Sequence, residues 1–188
     1  MFLERLKDFT KHIEECRYTT ESGTIDHKAA LQEAVKLLHM TRDRGGIVYV
    51  VGNGGSAGIA SHFHTDLLKG LEIPSQTLYD SNLITCLGND YGYEHIFSSP
   101  LKLMMTPRDM LVAISSSGKS PNILNAAQVA KEKGANVLTL SGFQADNPLR
   151  KLGHLNCYLG CTEYGLVEIG HSFLLHTITD YLHQCKIK

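Results

Sequence analysis

The feature that most constrains the fold is a short apolar run that stops abruptly in glycine. Residues 47–51 have the sequence IVYVV and are followed directly by GNGGSAG at residues 52–58. A run that is β-branched or aromatic at every position is typical of a strand buried on both faces of a parallel sheet. The sequence therefore predicts a strand that leads into a glycine-rich loop and then a helix.

The same alternation continues along the chain. Further strands are predicted near residues 75–79, 110–114, 136–140 and 155–159, and helices at residues 57–69, 93–105, 121–133 and 166–184. Two amphipathic helices, at residues 2–19 and 28–40, precede the first strand. The pattern predicts an α/β fold with a doubly wound, five-stranded parallel sheet flanked by helices. No linker or repeat interrupts it, so we expect one domain over residues 1–188.

Charge and composition argue against several classes of function. The chain has 188 residues and a formal net charge of −1, which gives no electrostatic attraction for nucleic acids or anionic membranes. The sequence has no apolar run near the roughly 20 residues that span a bilayer, and its amino terminus differs from a signal peptide. We expect a cytoplasmic protein without a nucleic-acid or membrane partner.

The cysteines are five in number and scattered along the sequence, at Cys16, Cys86, Cys157, Cys161 and Cys185. An odd, dispersed set favours reduced core thiols over a disulfide framework. Cys157 and Cys161 lie four residues apart, which leaves a soft-metal site as an alternative, although no second pair completes a four-ligand zinc site.

The loop at residues 52–58 is the first candidate for binding a phosphate group. It follows a strand and opens a helix, where free backbone N–H groups and the helix dipole favour an anion. The loop also satisfies the relaxed dinucleotide fingerprint, so a Rossmann cofactor site is a competing hypothesis. That hypothesis requires an acidic residue about 20 positions further on, at the end of the next strand. Glu72 has the spacing and Asp80 has the location, but neither has both.

The second candidate loop, SSSGKS at residues 115–120, precedes Pro121, a favoured early helical residue. Its GKS ending is typical of a nucleotide P-loop, but Ala113 occupies the required upstream glycine position, which argues against nucleoside triphosphate binding. Small hydroxyls beside exposed N–H groups suit one phosphate monoester. The alternative is that these serines only cap the helix.

These motifs, in this order, resemble the phosphoheptose isomerases, the SIS (sugar isomerase) domain enzymes that convert sedoheptulose 7-phosphate into a manno-heptose 7-phosphate. The matching segments are GNGGSAGIASHFHTD at 52–66, YDSNLITCLGNDYGYEHIF at 79–97, AISSSGKSPNIL at 113–124 and E-I-G-H-x4-H at 168–176. The resemblance implies an aldose–ketose isomerase with a five-stranded parallel sheet, and a homotetramer with active sites between subunits. It also implies a role in supplying heptose for lipopolysaccharide, capsule or other glycoconjugates.

The resemblance further assigns roles to individual residues. It implies that phosphate is bound by Ser56, Ser115, Ser116, Ser117 and Ser120. Asn53 and Asp80 match positions near the sugar chain, and Gly54 belongs to the same substrate-binding loop. In zinc-containing members, the metal is surrounded by the positions that match His62, Asp66, Glu168 and His176. The acid/base roles fall on the positions that match Asp66 and His176.

The spacing of these four residues is compatible with such chemistry. His62 and Asp66 lie four apart on a predicted helix and therefore share a face. Glu168 and His176 are separated by about 80° around the last helix, so we expect them to address one site. Isomerisation needs a base for a carbon-bound proton and a stabilised oxyanion. The hypothesis is that Asp66 or Glu168 is the base, that His176 is its partner, and that some of the four residues bind Zn²⁺.

Three positions depart from the family pattern. Asp66 replaces a glutamate, Glu168 replaces a glutamine, and Gly165 stands where the family usually has a substrate-contacting aspartate. The first two changes either move the base between helices or mark a different sugar. His171 is as consistent with a hydrogen-bonded core residue as with a ligand.

The competing function is a non-catalytic SIS protein that binds a phosphosugar or a protein partner, similar to the bacterial replication-initiator-associating SIS protein. Retention of the four acid/base or metal-ligating residues favours catalysis.

Overall fold

The computed structural model describes residues 1–186. Its strands are β1 (Arg17–Thr20), β2 (Gly23–Ile25), β3 (Val48–Val51), β4 (Ser75–Thr77), β5 (Met110–Ser115), β6 (Asn136–Ser141) and β7 (Leu155–Tyr158). Its α-helices are α1 (Phe2–Glu14), α2 (His27–Asp43), α3 (Gly55–Thr65), α4 (Ser81–Asp90), α5 (Ser98–Met104), α6 (Pro121–Glu132) and α7 (Tyr164–Lys186). A π-helical segment covers Asp66–Gly70, and 3₁₀ turns cover Tyr93–His95 and Pro148–Lys151.

All the strands belong to one sheet, in the order β2-β1-β7-β6-β5-β3-β4. Strands β3 to β7 pair in parallel, which confirms the predicted α/β fold and its five parallel strands. Among these five, the chain moves outward in one direction from β3 to β4 and in the other from β5 to β7. The crevice between the carboxyl ends of β3 and β5 is therefore the place where a ligand is expected in such a sheet.

Strand β3 shows why the predicted core strands are apolar at every position. Val48 and Val50 pack into the core on one face of the sheet, whereas Tyr49 and Val51 pack into the core on the other. Helices α2, α3 and α7 cover the first face, and α5 and α6 cover the second. Because both faces are covered, the alternation of polar and apolar residues that marks a half-exposed strand is absent.

The first predicted helix is too long, and a hairpin follows it. Helix α1 ends at Glu14, and residues 17–25 form β1 and β2, which extend the sheet to seven strands. Strand β1 pairs antiparallel with the edge of β7, and Tyr18 is buried there. The free N–H and C=O groups of that edge make a strand more favourable here than another turn of helix.

The predicted helix at 93–105 is also interrupted. The chain forms a 3₁₀ turn at Tyr93–His95 and begins α5 only at Ser98, while the preceding helix α4 was not predicted. Asp80 begins α4 as its N-cap, because its Oδ1 accepts a hydrogen bond from the N–H of Leu83 at 2.8 Å. None of the helices described within residues 1–186 is long and apolar enough to cross a membrane.

Candidate functional site

A cavity of about 200 Å³ lies at the carboxyl ends of β3 and β5, where the sheet predicts a ligand. We call it the serine-loop cavity. Its walls come from the glycine-rich loop, the serine loop and the first turns of α7, and it is lined by Asn53, Gly54, Gly55, Ser56, Ile114, Ser115, Ser116, Ser117, Ser120, Tyr164 and Glu168. All the predicted phosphate-binding serines therefore meet in one place, although the two loops are about 60 residues apart in the sequence.

The serine loop is organised by its own hydrogen bonds. Ser115 Oγ accepts from the N–H of Gly118 at 3.2 Å and lies 3.2 Å from Ser120 Oγ. Ser120 precedes α6 but makes no side-chain cap, so the alternative of a purely capping role is wrong for this residue. Ser116 Oγ is buried and has no protein partner among the described residues. A buried hydroxyl without a partner is unfavourable, so its position in the cavity indicates a ligand.

Asn147 supports the serine loop, a role that was not predicted from the sequence. Its Nδ2 donates to the carbonyl oxygens of Gly142 at 3.1 Å and Gln144 at 2.8 Å, and the side chain is fully buried. Gly118, with φ of +62°, lies against it so closely that an added Cβ would be 2.0 Å from Asn147 Oδ1. The contact between Asn147 and Gly118 fixes the turn of the serine loop that presents the serine hydroxyls to the cavity. Pro148, which follows Asn147, was an available turn signal.

The glycine-rich loop is held by side chains that the sequence did not identify. Tyr79 Oη accepts from the N–H of Gly52 at 2.7 Å and donates to its carbonyl at 3.0 Å. Burial raises the pKa of Tyr79 well above its ordinary value, so the phenol keeps its proton. The amides of Asn53 and Asn122 exchange two hydrogen bonds of 2.9 and 2.8 Å. These bonds join the glycine-rich loop to Tyr79 and to the first turn of α6, the helix that follows the serine loop.

Glu168 projects from α7 into the serine-loop cavity. A Cβ on Gly55 would lie 2.4 Å from both carboxylate oxygens of Glu168, so the acid contacts the start of α3 directly. This location differs from the prediction that Glu168 and His176 address one site. The two residues are about 80° apart around α7, but eight residues also span about 12 Å along it.

His62, Asp66 and His176 form a second group, which we call the histidine–aspartate cluster. Asp66 Oδ2 lies 3.8 Å from His62 Nε2 and 3.5 Å from His176 Nδ1, and the two imidazole centroids are 4.9 Å apart. The cluster borders a small crevice between α3 and α7. Asp66 is the first residue of the π-helical segment, a feature that frequently occurs at functional sites.

This cluster has the composition of a metal site. One ligand atom from each of the three residues lies within 4.8 Å of the others. Two imidazoles and one carboxylate are a ligand set used by catalytic zinc, which leaves the fourth position open to substrate or water. Glu168, the fourth predicted ligand, is not part of this group.

Three other predicted or alternative sites lie elsewhere. Asp80 caps α4 and lines neither the serine-loop cavity nor the crevice of the cluster. His171 is a core residue: it is fully buried, its Nε2 lies 3.2 Å from the carbonyl of Ser141, and desolvation lowers its pKa to about 4. Cys157 and Cys161 are free and buried, and within residues 1–186 neither belongs to a potential metal-binding group. Both side chains belong to the hydrophobic core, which agrees with the prediction of core thiols.

Comparison with known proteins identifies the family of this chain. A family model described as the SIS domain matches residues 11–142. A phosphoheptose isomerase from Campylobacter concisus is 34% identical over 179 residues, which cover 92% of this chain and 94% of that protein. One from Helicobacter pylori is 30% identical over 185 residues, which cover 95% and 93%.

A solved structure shows the same architecture. The phosphoheptose isomerase from Neisseria gonorrhoeae matches with a TM-score of 0.81 and 26% identity, over 97% of this chain and 99% of that chain. The predicted resemblance is confirmed, and the alternative of a Rossmann oxidoreductase is wrong. This chain belongs to the phosphoheptose isomerase family of SIS-domain proteins.

Proposed function

We propose that the protein is an aldose–ketose isomerase that converts sedoheptulose 7-phosphate into D-glycero-D-manno-heptose 7-phosphate. The observation that carries this proposal is helix α3, which begins at the serine-loop cavity and ends at the histidine–aspartate cluster. The seven residues from Gly55 to His62 span about 10 Å. An open-chain sugar phosphate held by its phosphate at the start of α3 can therefore present its carbonyl end towards the cluster.

The phosphate end of the substrate would be bound by the two loops. Ser56, Ser115, Ser116, Ser117 and Ser120 supply hydroxyls, and the amino-terminal N–H groups of α3 and α6 add a favourable dipole. Gly54, with φ of +52°, brings the loop backbone up to the cavity in a conformation that side chains disfavour. Asn53 lines the same cavity and can contact the sugar. A contact between Asp80 and the sugar chain stays a prediction.

The proton transfers would take place at the cluster. Asp66 is the better candidate for the base, because its carboxylate lies 3.5 Å from His176 Nδ1, whereas Glu168 is separated from His176 by two turns of α7. Asp66 would remove the proton from C1, next to the C2 carbonyl, and return it to C2, while His176 would move the hydroxyl proton from O1 to O2. Glu168 would accept hydrogen bonds from sugar hydroxyls near the phosphate.

We further propose that His62, Asp66 and His176 bind Zn²⁺. When bound, the ion supplies a Lewis acid that stabilises negative charge developing on the carbonyl oxygen. Binding has a readout apart from activity, because a ligand at 100 times its Kd stabilises the folded protein by about 2.7 kcal/mol. We expect Zn²⁺ to raise the Tm of the wild type and to have no such effect on His62→Ala.

The proposal extends to assembly and location. We propose one SIS domain across residues 1–188 that forms a homotetramer with active sites between subunits. Exposed apolar side chains on α1 and α7 support this assembly, namely Phe2, Leu3, Leu6, Ile169 and Phe173. Helix α1 has no buried residue of its own, so a partner surface would cover its apolar face.

The five free thiols support a cytoplasmic location. The phosphosugar is the proposed partner, with no nucleic acid or membrane.

The decisive experiment is turnover of sedoheptulose 7-phosphate by the purified protein, with and without Zn²⁺, followed by NMR. We expect an aldoheptose phosphate to form. Binding of the heptulose phosphate without turnover under any metal condition would reject the isomerase and favour the non-catalytic SIS protein. The cluster argues against that alternative, since a module that only binds phosphosugars does not need an acid, two histidines and an open coordination position.

A further inference from the structure

The serine-loop cavity has one aromatic wall that the phosphate chemistry does not explain. Tyr164, the first residue of α7, lines the cavity together with the serines, and 63% of its surface is exposed. Most of the other lining residues are small or polar and suit a phosphate group. A tyrosine offers something different, because its ring packs against C–H groups and its hydroxyl both donates and accepts hydrogen bonds.

The Tyr164 ring is supported from one side by an unusual residue. Phe143 packs edge-to-face against it, with centroids 4.8 Å apart and an interplanar angle of 82°. Phe143 has φ of +57°, a left-handed conformation that is rare for a bulky side chain. The chain maintains this conformation with two hydrogen bonds: the N–H of Phe143 donates to the carbonyl of Cys161, and Tyr158 Oη donates to the carbonyl of Phe143, each at 2.9 Å. Strained residues of this kind concentrate at ligand sites.

The position of Tyr164 along α7 relates it to Glu168. The two residues lie four apart and therefore share a face of the helix, and both line the cavity. Gly165 lies between them in sequence and leaves open space, since a Cβ built there meets nothing within 4 Å. The phenol and the carboxylate thus lie on one face of α7 at the cavity wall, where both can meet a polyhydroxylated chain.

We propose that Tyr164 is a specificity-determining residue that packs against the carbon chain of the phosphosugar, and that Phe143 is the positioning residue that orients it. The phosphate itself is bound by the serine loop without help from Tyr164. This inference rests on the proposed function, because it assigns Tyr164 to the sugar portion of that substrate.

The test compares two ligands of different length. Inorganic phosphate reports on the serine loop alone, whereas sedoheptulose 7-phosphate also reports on the sugar contact. For Tyr164→Ala we expect the Kd and KM for the heptulose phosphate to rise about tenfold, equivalent to about 1.4 kcal/mol, with kcat and the Kd for inorganic phosphate unchanged. Tyr164→Phe retains the ring and should lose less affinity for the heptulose phosphate than Tyr164→Ala. Phe143→Leu should also raise the Kd for heptulose phosphate, but by a smaller factor than Tyr164→Ala.

Tyr181→Ala is the matched control, because this partly exposed tyrosine lies on the same helix far from the cavity. Equal weakening of both ligands by Tyr164→Ala would indicate a structural role and overturn the proposal, as would unchanged affinity for both. If the wild type binds heptulose phosphate without turning it over, the proposed isomerase activity is rejected. If Tyr164→Ala then loses that binding while Tyr181→Ala keeps it, the contact between Tyr164 and the sugar is still supported. The two failures are therefore distinguishable.

Discussion

The serine-loop cavity and the histidine–aspartate cluster lie at opposite ends of α3 and are built in different ways. The cavity is formed by loops whose backbone and side chains already hold each other, as in the bond from Gly118 N–H to Ser115 Oγ at 3.2 Å. The cluster consists of side chains that are 26% to 61% exposed and 3.5 to 3.8 Å apart, beyond ordinary hydrogen-bond length. The proposed anion site is thus preorganised, whereas the proposed chemical site requires a cation, a substrate or a partner subunit to bring its side chains together.

The largest expected effect separates chemistry from binding. Asp66→Asn removes the proposed base, so we expect kcat for sedoheptulose 7-phosphate to fall by about 1000-fold, within the range for acid–base residues. The Kd for inorganic phosphate should stay unchanged, because the serine-loop cavity does not include Asp66. Asp180→Asn, an exposed acid on α7, is the control. Retained activity in Asp66→Asn, together with loss in Glu168→Gln, would transfer the base to Glu168.

The second prediction concerns His171, the buried histidine of α7. Burial lowers the pKa of His171 from 6.5 to about 4, so the unfolded chain binds a proton between these values while the folded chain does not. Stability should therefore fall as the pH drops from about 6.5 to about 4, by about 3 kcal/mol for this group. Urea unfolding across this range measures the slope. His171→Gln should flatten it, and an unchanged slope would contradict the assignment.

A smaller effect is expected from Ser116→Ala. Its buried hydroxyl has no protein partner among the described residues, so removal should not lower the free energy of unfolding. Affinity for inorganic phosphate should nevertheless fall about tenfold, the value of one hydrogen bond to a charged group. Phosphate affinity is measured by calorimetry and stability by urea unfolding. Ser98→Ala, which changes a buried serine outside the cavity, is the control for both measurements. A loss of stability without loss of affinity would make Ser116 structural.

The smallest effect tests whether Glu168 belongs to the cavity. Its carboxylate is partly exposed and lies in a site proposed for an anion, so Glu168→Gln removes a like charge. We expect inorganic phosphate to bind about twofold to fivefold more tightly at low salt, with less difference at high salt because exposed charges are screened. Weaker phosphate binding would show that Glu168 positions the loop. The histidine–aspartate cluster should retain its Zn²⁺ response in this variant.

Much of the fold and half of the site could be predicted because the signals are local. The buried strand at Val48–Val51, the glycine-rich loop after it and the serine loop after β5 each have a pattern within a few residues. Parallel strands bring their carboxyl ends to one edge of the sheet, which is why two loops that follow such strands meet there. The supports that hold them, Tyr79, Asn122 and Asn147, gave no comparable signal, because their roles depend on residues far away in the chain.

The sequence by itself determined the α/β class, from the alternation of its elements, and the places of the glycine-rich and serine loops. It also determined that His62 and Asp66 share one helical face, which follows from their spacing. Only the tertiary structure decided that His176 joins this pair while Glu168 lines the other cavity. The angle between Glu168 and His176 around α7 follows from the 3.6-residue helical repeat. The packing of α7 against α3 decides which site each of these two residues reaches. Long-range packing likewise turned residues 17–25 into a hairpin at the sheet edge.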